Sequence, residues 1–399
     1  MDKNELSFNI IYNEKGTKKG KINKILVDGY DDFAFWDYEE QTKVKHKVLE
    51  AYLKVWFIKL GLNNPQINYY DGFSGCGAYF DRKNNDIGYG SPIIARKVAL
   101  ENKRIANCRF YFNEKENSNI DNLNSVFKFH NFENNNVTVT QGDFNTNINL
   151  FLDKLEKNPV PTFFMIDPYG INVDFSTIKR IMEIPKTEIL FNFMYNFLSR
   201  FLTNEPNTEN INKLYGSTKW QELRHFKEQI KEDSLVGLYR EQLKKFSNYV
   251  YQYRLSFSEQ DKTYYYLFHL TQNIDGCSIM KDAFAEVNYG NVEFLGPRQP
   301  NPNQASLFDK SGLAVDTLIN MIFDKYKGKQ VAYEDIVVEY IDSTPYLLKQ
   351  IKQALEKMKN SHLQVIQKKQ NTRTFQNGYV FEFFNESKRI EIFIQQPLF

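Results

Sequence analysis

From Ile67 to Met194 the chain alternates short apolar runs with stretches of helical period, and few folds accommodate that order. The runs are Ile67–Asp71, Cys108–Asn113, Val137–Thr140, Thr162–Ile166 and Glu188–Met194. Between them, Gly90-Ser91-Pro92 supplies an N-cap serine and a first-turn proline for the helix PIIARKVALEN, and Ile120–Phe129 and Ile148–Lys157 keep the same period. Strands joined through helices run parallel, with right-handed crossovers. The alternation therefore predicts an α/β domain with a parallel, doubly wound sheet.

Upstream, within Asp31–Gly61, Val44, Val48, Ala51, Tyr52, Val55 and Ile58 share one face of an amphipathic helix. Lys45, Lys47, Lys54 and Lys59 take the other face, which puts Lys45 in solvent. Downstream, a charged helical insertion at about 200–247 interrupts the pattern before two aromatic-rich runs, Tyr249–Phe257 and Thr263–Gln272, which read as a hairpin. Their tyrosines could form a stacking platform, but alternation over central strands is better explained by packing between sheet and helices. Pro297, Pro300 and Pro302 in a polar run mark a linker. Beyond it, helices over Leu313–Lys325 and Tyr333–Tyr340, a third capped by Ser343-Thr344-Pro345, and strands at His362–Gln367 and Gly378–Phe384 make a winged-helix pattern. The expected division is a first domain over 1–300, a linker at 301–312 and a winged helix over 313–399.

Composition narrows the function classes. The 51 Lys and Arg nearly balance 49 Asp and Glu, for a net charge of +2, so the chain is not a polycation that coats nucleic acid by charge alone. The winged-helix segment is no different: residues 311–399 hold 12 basic and 10 acidic residues. Lys349, Lys352, Lys357 and Lys359 on or beside its third helix, with Lys368, Lys369 and Arg373 on the wing, leave groove binding and protein docking both open. The 62 aromatic residues imply large packed cores. Cys76, Cys108 and Cys277 sit at no metal spacing and read as thiols of a reducing compartment. The first twenty residues lack an apolar signal core, and no stretch approaches a membrane span, which together point to the cytoplasm.

Four successive strand ends carry the candidate chemistry. The first run enters Asp71-Gly72-Phe73-Ser74-Gly75-Cys76-Gly77, whose glycines permit a tight turn and close approach of a ligand to the main chain, although any tight loop there needs glycine. The second run ends in Glu114, placed to accept both hydroxyls of a ribose or to sit solvated in a loop. After the third, Asp143 suits an adenine amino group with Phe144 packed on the ring, or equally a helix N-cap. The fourth delivers Asp167-Pro168-Tyr169-Gly170: carboxylate and carbonyl can hold an exocyclic amine while the ring stacks on the base. Methylating such an amine needs mainly positioning and electrostatics. No carboxylate cluster at metal spacing is visible, so no metal is expected.

Five parallel strands followed by an antiparallel hairpin are the strand set of a Rossmann-like class I S-adenosylmethionine methyltransferase. Lys45-His46 on a helix, Tyr70–Tyr79, Gly90-Ser91-Pro92, Met165–Gly170, and Tyr265–Thr271 with Met280-Lys281-Asp282 together resemble the three-Cys-motif partner protein (TcmP) family over roughly residues 35–295. The Lys-His helix and the Asp-x-x-x-Gly-x-Gly-x-Tyr turn are also similar to large-subunit ribosomal RNA adenine-N6 methyltransferases, in which a strand ends in Asp-Pro-Pro-Tyr. The resemblance implies S-adenosylmethionine held by Gly75, Gly77, Glu114 and Asp143, with Asp71, Phe73, Phe144, Lys45 and His46 around it. It also implies a nucleic-acid adenine as target, with Asp167, Pro168 and Tyr169 as the catalytic set. This chain has one proline there, so Tyr169 stands one position early. The TcmP resemblance further implies a radical-SAM-like partner, which carries the three cysteines of the family name. It leaves open a non-catalytic subunit in a mobile-element or phage-defence setting.

Overall fold

The computed structural model describes residues 6–12, 22–101, 107–203, 205–257, 262–287, 292–295, 313–368 and 375–386. They fall in two compact units, Met1–Phe294 and Leu295–Phe399. The first opens with an antiparallel pair, β1 (Phe8–Tyr12) and β2 (Ile22–Val27), followed by β3 (Trp36–Asp37) and α1 (Glu40–Gly61). The helix starts at Glu40, well past Asp31, because Phe35 exchanges both backbone hydrogen bonds with Ile25 (2.9 and 2.8 Å) and that segment is spent on strand pairing.

The buried face of α1 also departs from the period. Val44, Val48 and Tyr52 are buried and Ala51 half-buried, but Val55 and Ile58 are exposed, while Lys43, Lys45 and His46 are buried. Leu53, Trp56 and Phe57 take the inward positions of the second half, with Trp56 on Phe163 (5.8 Å between centroids) and Phe57 on Phe110 (6.2 Å). Aromatic bulk, not the lysine pattern, sets the rotation of the helix.

The main sheet begins with β4 (Ile67–Asp71). A hairpin follows, β5 (Ala78–Asp81) with β6 (Asp86–Tyr89), where only a polar loop was expected. Then come α2 (Ser91–Glu101), β7 (Cys108–Glu114), α3 (Asn117–Phe129), β8 (Val137–Gln141), α4 (Phe144–Lys157), β9 (Thr162–Ile166), α5 (Phe175–Glu183) and β10 (Thr187–Phe193). The insertion is α6 (Tyr195–Ser199), α7 (Thr208–Tyr215), α8 (Trp220–Leu223) and α9 (Glu228–Leu243). β11 (Tyr249–Phe257) and β12 (Lys262–Thr271), then α10 (Ile274–Glu286) and β13 (Val292–Leu295), complete the unit; the hairpin's connecting residues 258–261 lie outside the described residues.

The sheet order is β13-β11-β12-β10-β9-β4-β7-β8. The strands β8, β7, β4, β9 and β10 are parallel, and β12 inserts antiparallel between β10 and β11. Chain order reverses between β4 and β9, which makes the crevice beyond their carboxyl ends the topological switch point. Alternate side chains sort to two faces: Tyr69, Phe110, Phe112 and Phe163 face α1 to α3, and Tyr70, Phe164 and Ile166 face α4 and α5. Tyr251, Tyr253, Tyr265 and Tyr266 of the hairpin are buried, as packing requires.

The second unit contains α11 (Leu313–Tyr326), β14 (Gln330–Ala332), α12 (Tyr333–Ser343), α13 (Leu348–Met358), β15 (Leu363–Gln367) and β16 (Val380–Phe383). Its wing is a three-stranded sheet, β14-β16-β15, with one strand more than the alternation revealed. Thr344 does not open the third helix: its hydroxyl donates to the Tyr340 carbonyl (2.5 Å) and closes α12, while α13 is capped by Gln350, whose Oε1 accepts from Leu347 N (2.8 Å). The expected linker at 301–312, with Lys369 and Arg373 of the wing, lies outside the described residues. Among the described residues no helix is long and apolar enough to cross a membrane.

Candidate functional site

Two strand ends meet at the switch point, and they are held by different means. After β4 the chain turns through Gly75 (φ +63°) and Gly77 (φ +82°), backbone conformations that side-chain-bearing residues rarely adopt. A Cβ on Gly77 would fall 2.7 Å from Leu123, and one on Gly75 would fall 3.2 Å from the Trp36 ring. The turn does not enter a helix directly. The β5–β6 hairpin returns the chain so that Gly90 N donates to Gly77 O (2.9 Å), and only then does α2 begin.

Asp71 lies beneath this turn with no exposed surface. It accepts from Phe73 N (3.2 Å), the Tyr69 hydroxyl (3.4 Å) and the Ser91 side chain. Burial outweighs those bonds and raises its carboxyl to about 7. Asp71 closes the turn from within and offers no surface to a ligand, contrary to its expected place beside one. Phe73 is half-buried and packs on Phe144 (4.9 Å between centroids).

Glu114 ends β7. Its Oε2 accepts from Gly75 N (2.9 Å), and its Oε1 accepts from Lys115 N, Glu116 N (2.9 Å each) and Asn119 Nδ2 (3.2 Å). The carboxylate therefore ties the glycine turn to the neighbouring loop. Asn113, which sequence reasoning passed over, is buried one residue earlier. Its amide donates to Gly72 O (3.1 Å) and Gly142 O (3.3 Å) and its Oδ1 accepts from Asn147 (2.8 Å), joining the ends of β4, β7 and β8. Its signal was alternation: the residue before Glu114 must point to the opposite face. Asp143 is exposed and caps α4, its Oδ1 accepting from Thr146 N (3.2 Å). Phe144 is only 2% exposed, and a Cβ on Gly72 would fall 2.6 Å from its ring. It belongs to the core beneath the turn and has no free face for stacking.

At the end of β9, Asp167 Oδ1 accepts from Asn192 Nδ2 of β10 (2.6 Å), and Oδ2 pairs with the Lys45 ammonium from α1. Lys45 is thus buried and committed, not solvated. It also lies 5.8 Å from the centroid of the Tyr265 ring. Pro168 is buried, and Gly170 (φ +120°) turns the chain away. Tyr169 is 70% exposed and meets Trp36 edge-on (5.9 Å, 72°). Register between β3 and β5 sets Trp36 beside Tyr79 (6.0 Å), and Tyr79 in turn contacts Tyr38 and His46. His46 Nδ1 is 3.0 Å from the Tyr38 hydroxyl; burial, reinforced by the Lys45 charge, pushes its imidazole down to about 3, so the ring is neutral. Trp36 and Asn192 were not foreseen, the first because its segment read as helix, the second because an Asn inside an apolar strand carries no signal of its own.

Strand order, the antiparallel β12 and a glycine turn opposite an Asp-Pro strand end define a Rossmann-like, class I methyltransferase-type domain, and the second unit is a winged helix. Residues 296–370 match the family model of the GMT-like wHTH domain. No match was found among curated proteins. Among solved structures, protein LPL1258 from Legionella pneumophila is 11% identical, covering 62% of this chain and 94% of that one with a TM-score of 0.36. A spermidine synthase with the transition-state analogue AdoDATO is 9% identical, covering 72% and 77% with a TM-score of 0.34. M. jannaschii TYW2 with AdoMet is 11% identical, covering 65% and 91% with a TM-score of 0.30. At such scores these are likenesses only, and the class rests on the strand order.

Proposed function

We propose that the chain is an S-adenosylmethionine-dependent methyltransferase acting on an exocyclic amine, adenine N6-like, in nucleic acid, with residues 1–300 as the transfer domain and the winged helix beyond 312 engaging the substrate. The observation that carries this reading is the convergence on Asp167 of Lys45 and Asn192, from two other elements, beside a glycine turn at the switch point. The residues present suit the donor. The turn through Gly75 and Gly77 brings main chain to the switch point without side chains of its own, and Glu114 and Asp143 stand at adjacent strand ends. When bound, S-adenosylmethionine supplies an electrophilic methyl group.

The chain's own residues have three tasks. Lys45 and Asn192 fix the Asp167 carboxylate, leaving each oxygen a lone pair with which to accept from an incoming amine. Trp36 and Tyr169 line the approach with ring surface on which a flipped base can stack. Buried, neutral His46 adds no second cation beside Lys45.

One observation favours a second reading, a methyltransferase-like scaffold that transfers nothing: Lys45 already occupies one oxygen of Asp167, and Tyr169 points outward. Calorimetry with S-adenosylmethionine, followed by tritiated-methyl transfer to RNA and DNA, separates the two. Methyl transfer lost in Asp167→Ala with donor binding retained supports the enzyme. Donor binding without transfer supports the scaffold, and no binding at millimolar donor sinks the enzyme.

A further inference from the structure

On the α4 side of the sheet, away from the crevice, β4, β7 and β8 form the floor of a groove of about 500 Å³. It lies within the range of small-ligand clefts, about 300–1,000 Å³. The groove exists because α4 buries Ile148, Leu152 and Leu155 against β4 and β9 and leaves the outer half of β7 and β8 uncovered. Asn113, which holds the Gly72 and Gly142 carbonyls, stands between the groove and the glycine turn.

Its lining combines two chemistries. Tyr70 and Tyr111 lie nearly parallel (21°, 6.4 Å between centroids), and Phe151 closes on both at 4.8 and 4.7 Å, so ring surface covers the floor. Tyr70 is only 4% exposed and lies in the floor of the groove. At the rim stand Arg109 and Lys154, neither with an acidic partner among the described residues, and the Thr138 hydroxyl. Two unpaired cations over an aromatic floor suit an anion that carries a planar ring.

We propose that this groove binds a nucleotide unit, its base against Tyr111 and its phosphate between Arg109 and Lys154. The site is distinct from the crevice at Asp167 and stands whether or not the chain transfers a methyl group. A free mononucleotide and an unpaired nucleotide of a bound strand offer the same chemistry.

The test titrates the full chain with inorganic phosphate, uridine 5′-monophosphate and a short single-stranded RNA at low and moderate salt. Arg109→Gln with Lys154→Gln, both exposed positions, is expected to weaken the monophosphate by at least about tenfold, with salt weakening the wild type in the same direction. Tyr111→Ala is expected to weaken the monophosphate but not inorganic phosphate, while Tyr111→Phe retains binding. RNA binding much tighter than the monophosphate, and lost in the same variants, identifies the strand as the source; equal affinities identify the free nucleotide. Binding unchanged in the Arg109/Lys154 variant, inorganic phosphate bound as tightly as the monophosphate, or no binding of any probe overturns the proposal.

Discussion

The carboxylates at the ends of the two strands flanking β4, Glu114 on β7 and Asp167 after β9, are held in opposite ways. Glu114 is gripped chiefly by main-chain amides, two of them from the next two residues of its own loop and one from the glycine turn. Asp167 takes no such local support in the bonds described; it is held by Lys45, 122 residues earlier, and Asn192, 25 residues later. A locally held group tolerates changes in distant elements, whereas a group clamped by remote side chains reports on whether those elements have docked. The glycine side of the crevice is therefore secured locally, and the Asp167 side depends on the docking of α1 and β10.

The sharpest way to break this contrast is Asp167→Ala. It strands the buried Lys45 ammonium and is expected to cost about 3 kcal/mol in urea denaturation, while Asp167→Ala with Lys45→Met recovers most of it. If the single and double variants are equally unstable, the pair is not the clamp described here. Next in size is Gly75→Ala, which forces a side chain into φ +63° against the Trp36 ring, at about 1–2 kcal/mol. Adding Trp36→Ala relieves only the contact, so part of the loss should persist.

Acidity offers a subtler comparison across the same crevice. Asp71 has its carboxyl raised from 3.8 to about 7, so between those values the folded chain binds more protons than the unfolded one and stability falls as pH rises. His46, lowered from 6.5 to about 3, works the other way: the unfolded chain binds more protons and stability rises with pH. Thermal melts from about pH 5 to 6.5 should rise more steeply with pH in Asp71→Asn than in wild type, and less steeply or downward in His46→Gln. Parallel curves would mean that neither group is as buried as its packing implies. At the small end, Lys54→Ala removes an exposed i,i+4 pair with Glu50 and should shift stability by less than about 0.5 kcal/mol. Lys45, nine residues earlier on the same helix, would not be so lenient.

Legibility followed the same division. The strand runs, Gly75 and Gly77 in left-handed turns, Asp143 as a cap and the helices of the second unit were readable because each depends on neighbours within a few residues. The reading failed where a distant element intervened. Lys45 looked like any lysine on a charged helix face, and only the arrival of β9 and β10 made its burial favourable. Phe144 looked like a stacking ring until Gly72, lacking a side chain, let it pack beneath the turn. The β5–β6 hairpin was hidden in polar residues because its pairing is paid for by the contacts it makes with α1, including Lys43 on Asp81 (2.5 Å).

The sequence by itself determined the alternation of strands and helices, hence a parallel sheet with a switch point, and the residue types delivered to its edge: periodicity and turn chemistry act over short stretches of chain. Tertiary structure alone decided which of those residues face the crevice. Burial and ion pairing are properties of a three-dimensional neighbourhood, and the partners that fix Asp167 lie on elements that meet only when the sheet closes.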